Sequence, residues 1–209
     1  IISHNYCNCN SFSSKTHKVL PTFVLCFLGF FCDLWYDKSV WLCPYERRTN
    51  MRIILDGMGG DNAPASVVEG AVLASKEIDH EIVIVGQEDL VNKELKKYKY
   101  DTNKITVVHT TEVISNDEAP VRAVRSKKDS SIVRGINMVK AGEGDIFISA
   151  GSTGALMAGG LFILGRIQGI DRLALASIYP IIGGKASLLV DAGGNGDCKP
   201  NNLLEFAMM

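Results

Sequence analysis

Beyond position 50 this chain of 209 residues has almost no cysteine. Cys198 stands there alone, while Cys7, Cys9, Cys26, Cys32 and Cys43 all precede Met51. A lone thiol excludes a disulfide framework for the body of the chain. Histidine is scarce as well. His4, His17, His80 and His109 form no cluster with metal-ligand spacing, so no metal site is expected. An excess of one charge is missing, since 22 Lys and Arg face 23 Asp and Glu. That removes the global argument for nucleic acid. The apolar run Val19–Phe31 is too short to span a bilayer comfortably.

Three fingerprints are also absent. A Walker A loop ending in Gly184-Lys185 needs Gly at 179 and Ser or Thr at 186, where Tyr179 and Ala186 stand. Ser152 lies in Ala-Gly-Ser-Thr-Gly, one residue short of a nucleophile elbow. A dinucleotide loop starting at Gly57 needs a third glycine where Asn62 stands. The acids at the right distance, Glu77 and Asp79, belong to a helix end instead of a strand end. An NAD-dependent dehydrogenase is therefore kept only as the less favoured alternative.

Three readings compete for residues 1–50. The basic residues Lys15 and Lys18 before Val19–Phe31 suit a signal peptide, but no small-residue cleavage site follows. Cys7-Asn8-Cys9 does not fit zinc spacing. The favoured reading is translated upstream DNA: Glu46-Arg47-Arg48 is encodable as a ribosome-binding sequence, and Met51 follows as a start codon. Both tryptophans, Trp35 and Trp41, lie before this break.

What is present from Met51 onward is alternation. Apolar runs at Met51–Asp56, Glu81–Gly86, Lys104–His109, Asp145–Ser149, Leu173–Ile178 and Ala186–Asp191 read as strands. Between them, Ala65–Ile78, Glu88–Tyr98, a Ser130- or Ser131-capped segment running to Lys140, and Thr153–Ile167 read as helices. A last helix starts at Pro200. Such alternation predicts an α/β fold with a mainly parallel sheet covered on both faces. The chain is organised around Ile148–Met157, a strand end, a Gly/Ser/Thr turn and a helix start. That combination is an anion site by construction, because backbone N–H groups and the helix dipole converge there; the competing reading is a tight strand-to-helix turn that happens to be glycine-rich. Glycine-rich loops at 57–61, 149–154 and 191–197 are expected to gather on the carboxyl edge of the sheet. Between them lies a polar stretch, Thr110–Ser130, with Arg122, Arg125, Lys127 and Lys128 close together.

Four segments, in order, carry a resemblance. They are Asp56-Gly57-Met58-Gly59-Gly60-Asp61-Asn62-Ala63-Pro64; Asp117–Arg125 with Lys127–Ser131; Ser149–Met157; and Asp191–Asn195 with Asp197–Pro200. From Met51 to Met209 the chain resembles the bacterial phosphate acyltransferase family called PlsX. Gly57, Ser152, Leu173 and Gly194 depart from the residues common in that family. The resemblance implies a three-layer α/β/α sandwich, Rossmann-like and related to isocitrate dehydrogenase and phosphotransacetylase, truncated here at the C-terminus. It implies transfer of a fatty acyl group from acyl carrier protein to inorganic phosphate, giving acyl phosphate for phospholipid synthesis. It further implies a cytoplasmic homodimer at the inner face of the membrane, with no metal and no cofactor. A non-catalytic fragment, or a membrane-associated scaffold that binds acyl carrier protein, is the alternative.

Phosphate is nucleophilic at neutral pH, so the site needs alignment and oxyanion stabilisation, not a Ser or Cys nucleophile. The expected phosphate and substrate residues are Gly59, Gly60, Asp61, Ser152, Thr153 and Gly154. Lys128 is the expected cation and Asn195 the donor to the carbonyl oxygen. Arg122 and Arg125 are expected to dock the acidic surface of acyl carrier protein.

Overall fold

The computed structural model describes residues 50–209. The readings made for residues 1–49 lie outside the described residues. Four parallel strands form the central sheet in the order β3-β2-β1-β4. They are β1 (Arg52–Asp56), β2 (Glu81–Gly86), β3 (Ile105–His109) and β4 (Ile146–Ile148). Parallel strands need crossovers, and helices supply them. These are α1 (Ala65–Glu77), α2 (Glu88–Leu95), α3 (Pro120–Ser126) and α4 (Ser131–Ala141).

The side chains of β2 show why the sheet is covered on both faces. Successive residues of a strand point to opposite sides. Ile82 and Ile84 join Val68, Val72, Val91 and Leu95 of α1 and α2 in one buried cluster. Val83 and Val85 join Ile132, Ile136 and Val139 of α4 in the other. Phe147 of β4 and Leu156 also lie in that second cluster. Helix, sheet and helix therefore make three layers. β2 is buried along both faces, which explains why it reads as a continuous hydrophobic segment, whereas Ile148 of the edge strand β4 is exposed.

Local chemistry sets the helix ends. Ser130 caps α4 by accepting from the Val133 N–H, and Gly142 closes it at φ 78°. Ser152 caps α5 (Thr153–Gly159) by accepting from the Ala155 N–H.

Three expectations are corrected. The helix after the organising turn does not run unbroken to Ile167. It passes at Gly160–Leu164 into one π-helical turn and stops at Gly165, φ 94°. Packing demands the glycine at 159, because a Cβ there would meet Ile136 of α4. The fifth and sixth strands do not extend the parallel sheet. β5 (Ala176–Ile181) and β6 (Lys185–Val190) form a separate antiparallel hairpin. Gly183 and Gly184, at φ 93° and 73°, turn it. The third correction is a helix, α3, inside the segment read as a long polar stretch. Pro120 occupies its first turn, where a missing N–H costs nothing.

The last helix, α6 (Pro200–Met208), is tied back through its buried residues. Glu205 accepts from the Asp171 N–H at 2.9 Å, and Phe206 is buried. Among the described residues no helix is long and apolar enough to cross a membrane.

Candidate functional site

Two of the three glycine loops meet. β1 and β4 are neighbours, so the loops leaving their carboxyl ends start side by side. The contact is backbone against backbone. A Cβ built on Gly59 would lie 2.7 Å from the Gly151 nitrogen and 2.5 Å from Asp56 Oδ2. One built on Gly60, φ 99°, would meet Ala150 at 3.3 Å. Glycine is therefore dictated here by close approach, and at Gly60 by a left-handed conformation as well.

A buried carboxylate holds the crossing. Asp56 is only 1% exposed. Its Oδ1 accepts from the Met58 N–H at 3.0 Å. Its Oδ2 accepts from the Ser149 hydroxyl at 2.6 Å, and Ser149 Oγ in turn accepts from the Gly151 N–H at 3.0 Å. Sequence reasoning quoted Asp56 and Ser149 within motifs but gave them no role. The available signal was an acid closing an apolar strand directly before a Gly-x-Gly-Gly turn.

This network divides the amides of the two loops. Those of Met58 and Gly151 bond inward. Those of Gly59 and Gly60 have no hydrogen-bond partner among the described residues. The amides of Thr153 and Gly154 open α5, where a helix leaves its first N–H groups without intrahelical acceptors. Asp61 is exposed just beyond Gly60.

Gly154 has a packing reason as well. A Cβ there would lie 2.6 Å from Pro120 Cγ, so the glycine admits α3 against α5. Further along, the Arg125 guanidinium stacks 4.9 Å from the centroid of the Phe162 ring. Arg122 and Arg125 do share one face, lining a shallow groove with Ala119, Val121 and Ser126.

The two lysines after α3 are not equivalent. Lys127 Nζ donates to Val113 O at 2.7 Å and pairs with Glu118 at 2.6 Å. The Lys127 hydrogen bond, then the Ser115 N–H, hold the Glu118 carboxyl below its usual value. Lys128 is exposed and has no bonded partner among the described residues.

The third glycine loop is organised on itself. Asp191, at φ 65°, accepts from the Asn195 backbone N–H at 3.1 Å and its side-chain amide at 2.9 Å. The same amide donates to Leu173 O at 2.9 Å. The Asn195 side-chain amide thus donates once within the loop, to Asp191, and once outside it, to Leu173. Because β6 lies outside the parallel sheet, this loop does not leave the same sheet edge as the other two. It packs on α5 instead, where a Cβ on Gly194 would lie 3.2 Å from Met157. Partial burial, then the Asp191 hydrogen bond, pushes the Cys198 thiol above its ordinary 9.0. At neutral pH it is a thiol, a poor nucleophile. Among the described residues no group of three or more His, Cys, Asp and Glu converges to hold a metal ion.

The chain has relatives among known proteins. The chain is 57% identical over 159 residues to a phosphate acyltransferase of Clostridioides difficile, a match covering 76% of this chain and 47% of that protein. It is 54% identical to the phosphate acyltransferase of Alkaliphilus oremlandii over the same shares. The Halothermothrix orenii enzyme of that name is 50% identical, over 76% of this chain and 48% of its own. The chain thus spans about half the length of the curated relatives it matches. Among solved structures, a phosphotransacetylase from Streptococcus pyogenes superposes with a TM-score of 0.57 at 24% identity, covering 77% of this chain and 52% of that one. That likeness shows a shared α/β fold. With the family model described as fatty acid synthesis protein matching residues 51–209, the chain belongs to that family, the PlsX family of phosphate acyltransferases.

Proposed function

We propose that this chain carries the phosphate-binding half of an enzyme that transfers a fatty acyl group from acyl carrier protein to inorganic phosphate. The observation that carries this is the crossing of the Gly59 and Gly151 loops, with two amides bonded inward and those of Gly59 and Gly60 left without partners. A tetrahedral anion is held by such donors together with the first amides of α5, including Thr153 and Gly154. Ser152 orders that turn as its cap. Asp61, at the rim, accepts from a P–OH of the partly protonated phosphate. Lys128 is the cation, because Lys127 is committed to Glu118 and Val113.

The reaction follows from the donors. A phosphate oxygen attacks the thioester carbonyl carbon, and the C–S bond breaks. The acyl group leaves on phosphate, and the thiolate of acyl carrier protein takes the proton that phosphate releases. Backbone N–H groups stabilise the oxyanion that forms on the way. Asn195 acts by ordering its loop beside α5, with its carbonyl oxygen the part left for substrate. The groove carrying Arg122 and Arg125 is the docking face for acidic acyl carrier protein. The complete enzyme works as a cytoplasmic homodimer at the inner face of the membrane.

The test incubates the chain with acyl-loaded acyl carrier protein and inorganic phosphate and follows acyl phosphate by phosphorus NMR. Phosphate-dependent product supports the reading. Binding of acyl carrier protein without product favours the non-catalytic alternative. Neither binding nor product overturns both.

A further inference from the structure

An acidic side chain buried at the floor of the proposed anion site is chemically unexpected. Negative charge beside phosphate is unfavourable, and burying a charge is costly unless it is fully hydrogen-bonded. Asp56 is 1% exposed and carries no salt bridge among the described residues. What it does have is a directed set of donors: the Met58 N–H and the Ser149 hydroxyl. Ser149 extends the chain by one step, to the Gly151 N–H. Each bond reaches into one of the two glycine loops.

We propose that Asp56, acting through Ser149, is a positioning pair that selects which backbone amides of the two loops face the anion. This rests on the reading of those loops as a phosphate cradle. The carboxylate draws Met58 N–H and, by relay, Gly151 N–H toward the protein. In a turn this tight, fixing one peptide plane fixes the next. With Met58 and Gly151 held inward, the amides of Gly59 and Gly60 on one loop and of Ser152 onward on the other are left for a ligand. The hydroxyl is essential to the relay because it must donate and accept together. The Ser149 proton goes to Asp56, and its lone pair takes the Gly151 N–H. Alanine abolishes both bonds, whereas threonine retains the same hydroxyl chemistry. Asp56 and Ser149 do not touch phosphate, so they are positioning residues and not catalytic ones.

The experiment uses the chain as it is, with inorganic phosphate as the probe and two readouts. Isothermal titration gives phosphate affinity, and amide hydrogen exchange followed by NMR gives protection at Gly151. Ser149→Ala should weaken phosphate binding about ten-fold, the size of one lost hydrogen bond to a charged group. It should also raise exchange at Gly151 about ten-fold. Ser149→Thr should recover most of both losses. Asp56→Asn tests the charge: it should weaken phosphate binding by a similar factor even though it removes a negative charge from beside the anion. Simple electrostatics predicts the reverse. If the parent binds phosphate and Ser149→Ala binds equally well, the positioning role is overturned while the cradle stands. If the parent does not bind phosphate, the cradle and the positioning role fall together. A Gly151 amide that exchanges equally fast in the parent and in Ser149→Ala contradicts the relay whatever the affinity.

Discussion

Single residues divide sharply according to what a methyl group would meet. At Gly59 an added Cβ would meet Asp56 and the Gly151 backbone, neither of which is the free end of a flexible side chain. Gly59→Ala should cost roughly 1–3 kcal/mol of stability by forced overpacking and should also abolish phosphate binding. Urea unfolding with a parallel phosphate titration measures both, and a parent-like affinity would contradict the crossing. Gly70, in the middle of α1, is the opposite case, with nothing within 4 Å. Gly70→Ala should stabilise the chain by about 0.5–1 kcal/mol, because only backbone entropy changes. A lower unfolding midpoint would show that the site is not open. Glu118 provides a pH prediction. Its folded pKa lies below the ordinary 4.5, so its tie to Lys127 is fully formed above that value. The tie is lost as pH falls through the lower, folded value. An NMR titration of the Glu118 carboxyl should show a midpoint below 4.5, and Lys127→Met should move it upward. An unmoved midpoint would remove Lys127 as the cause.

At the scale of elements, the sequence was most legible in the four parallel strands. The Val- and Ile-rich run of β2 lies between two helical layers, so no competing polar pattern obscures it. Ser130 and Gly142 marked the ends of α4 because capping is local chemistry. Legibility failed where the deciding contact is distant in sequence. The packing reason for glycine at 154 shows only once Pro120, more than thirty residues earlier, is found against it. The Asp56–Ser149 bond spans 93 positions and leaves no mark on either segment's periodicity. Nor does composition distinguish a hairpin from two sheet strands. Ala176–Ile181 and Lys185–Val190 are as apolar as β2, yet Ile178, Tyr179, Leu188 and Leu189 are exposed in the structure. An apolar ribbon of this kind is a pairing hazard. The chain should therefore self-associate with rising concentration, and Ile178→Lys with Leu188→Lys should suppress that by like-charge repulsion. Light scattering across a dilution series measures it. Equal association in parent and double variant would place the sticky surface elsewhere.

For the molecule as a whole, the fold explains why the glycine loops of β1 and β4 gather on one edge of the sheet. Parallel strands send every carboxyl end to the same side. Neighbouring β1 and β4 place two glycine loops in backbone contact there, and α3 is wedged against α5 by Gly154 and Pro120. The basic groove lies alongside this assembly on α3, and the proposed function therefore assigns phosphate binding and docking of a protein partner to separate surfaces. Arg122→Glu should accordingly weaken acyl carrier protein binding while leaving phosphate affinity within about two-fold. A salt series should weaken the parent's docking too, since exposed charges are screened. Loss of phosphate affinity in Arg122→Glu would join the two surfaces into one. The position of the anion decides the proposed function, and an amide-resolved NMR titration of the chain with inorganic phosphate tests that most directly. The predicted result is saturable shifts concentrated at Gly59, Gly60, Ser152, Thr153 and Gly154, with Gly151 little moved because its N–H is already bonded inward. Shifts confined to the Arg122–Lys128 region, or none that saturate, would contradict it.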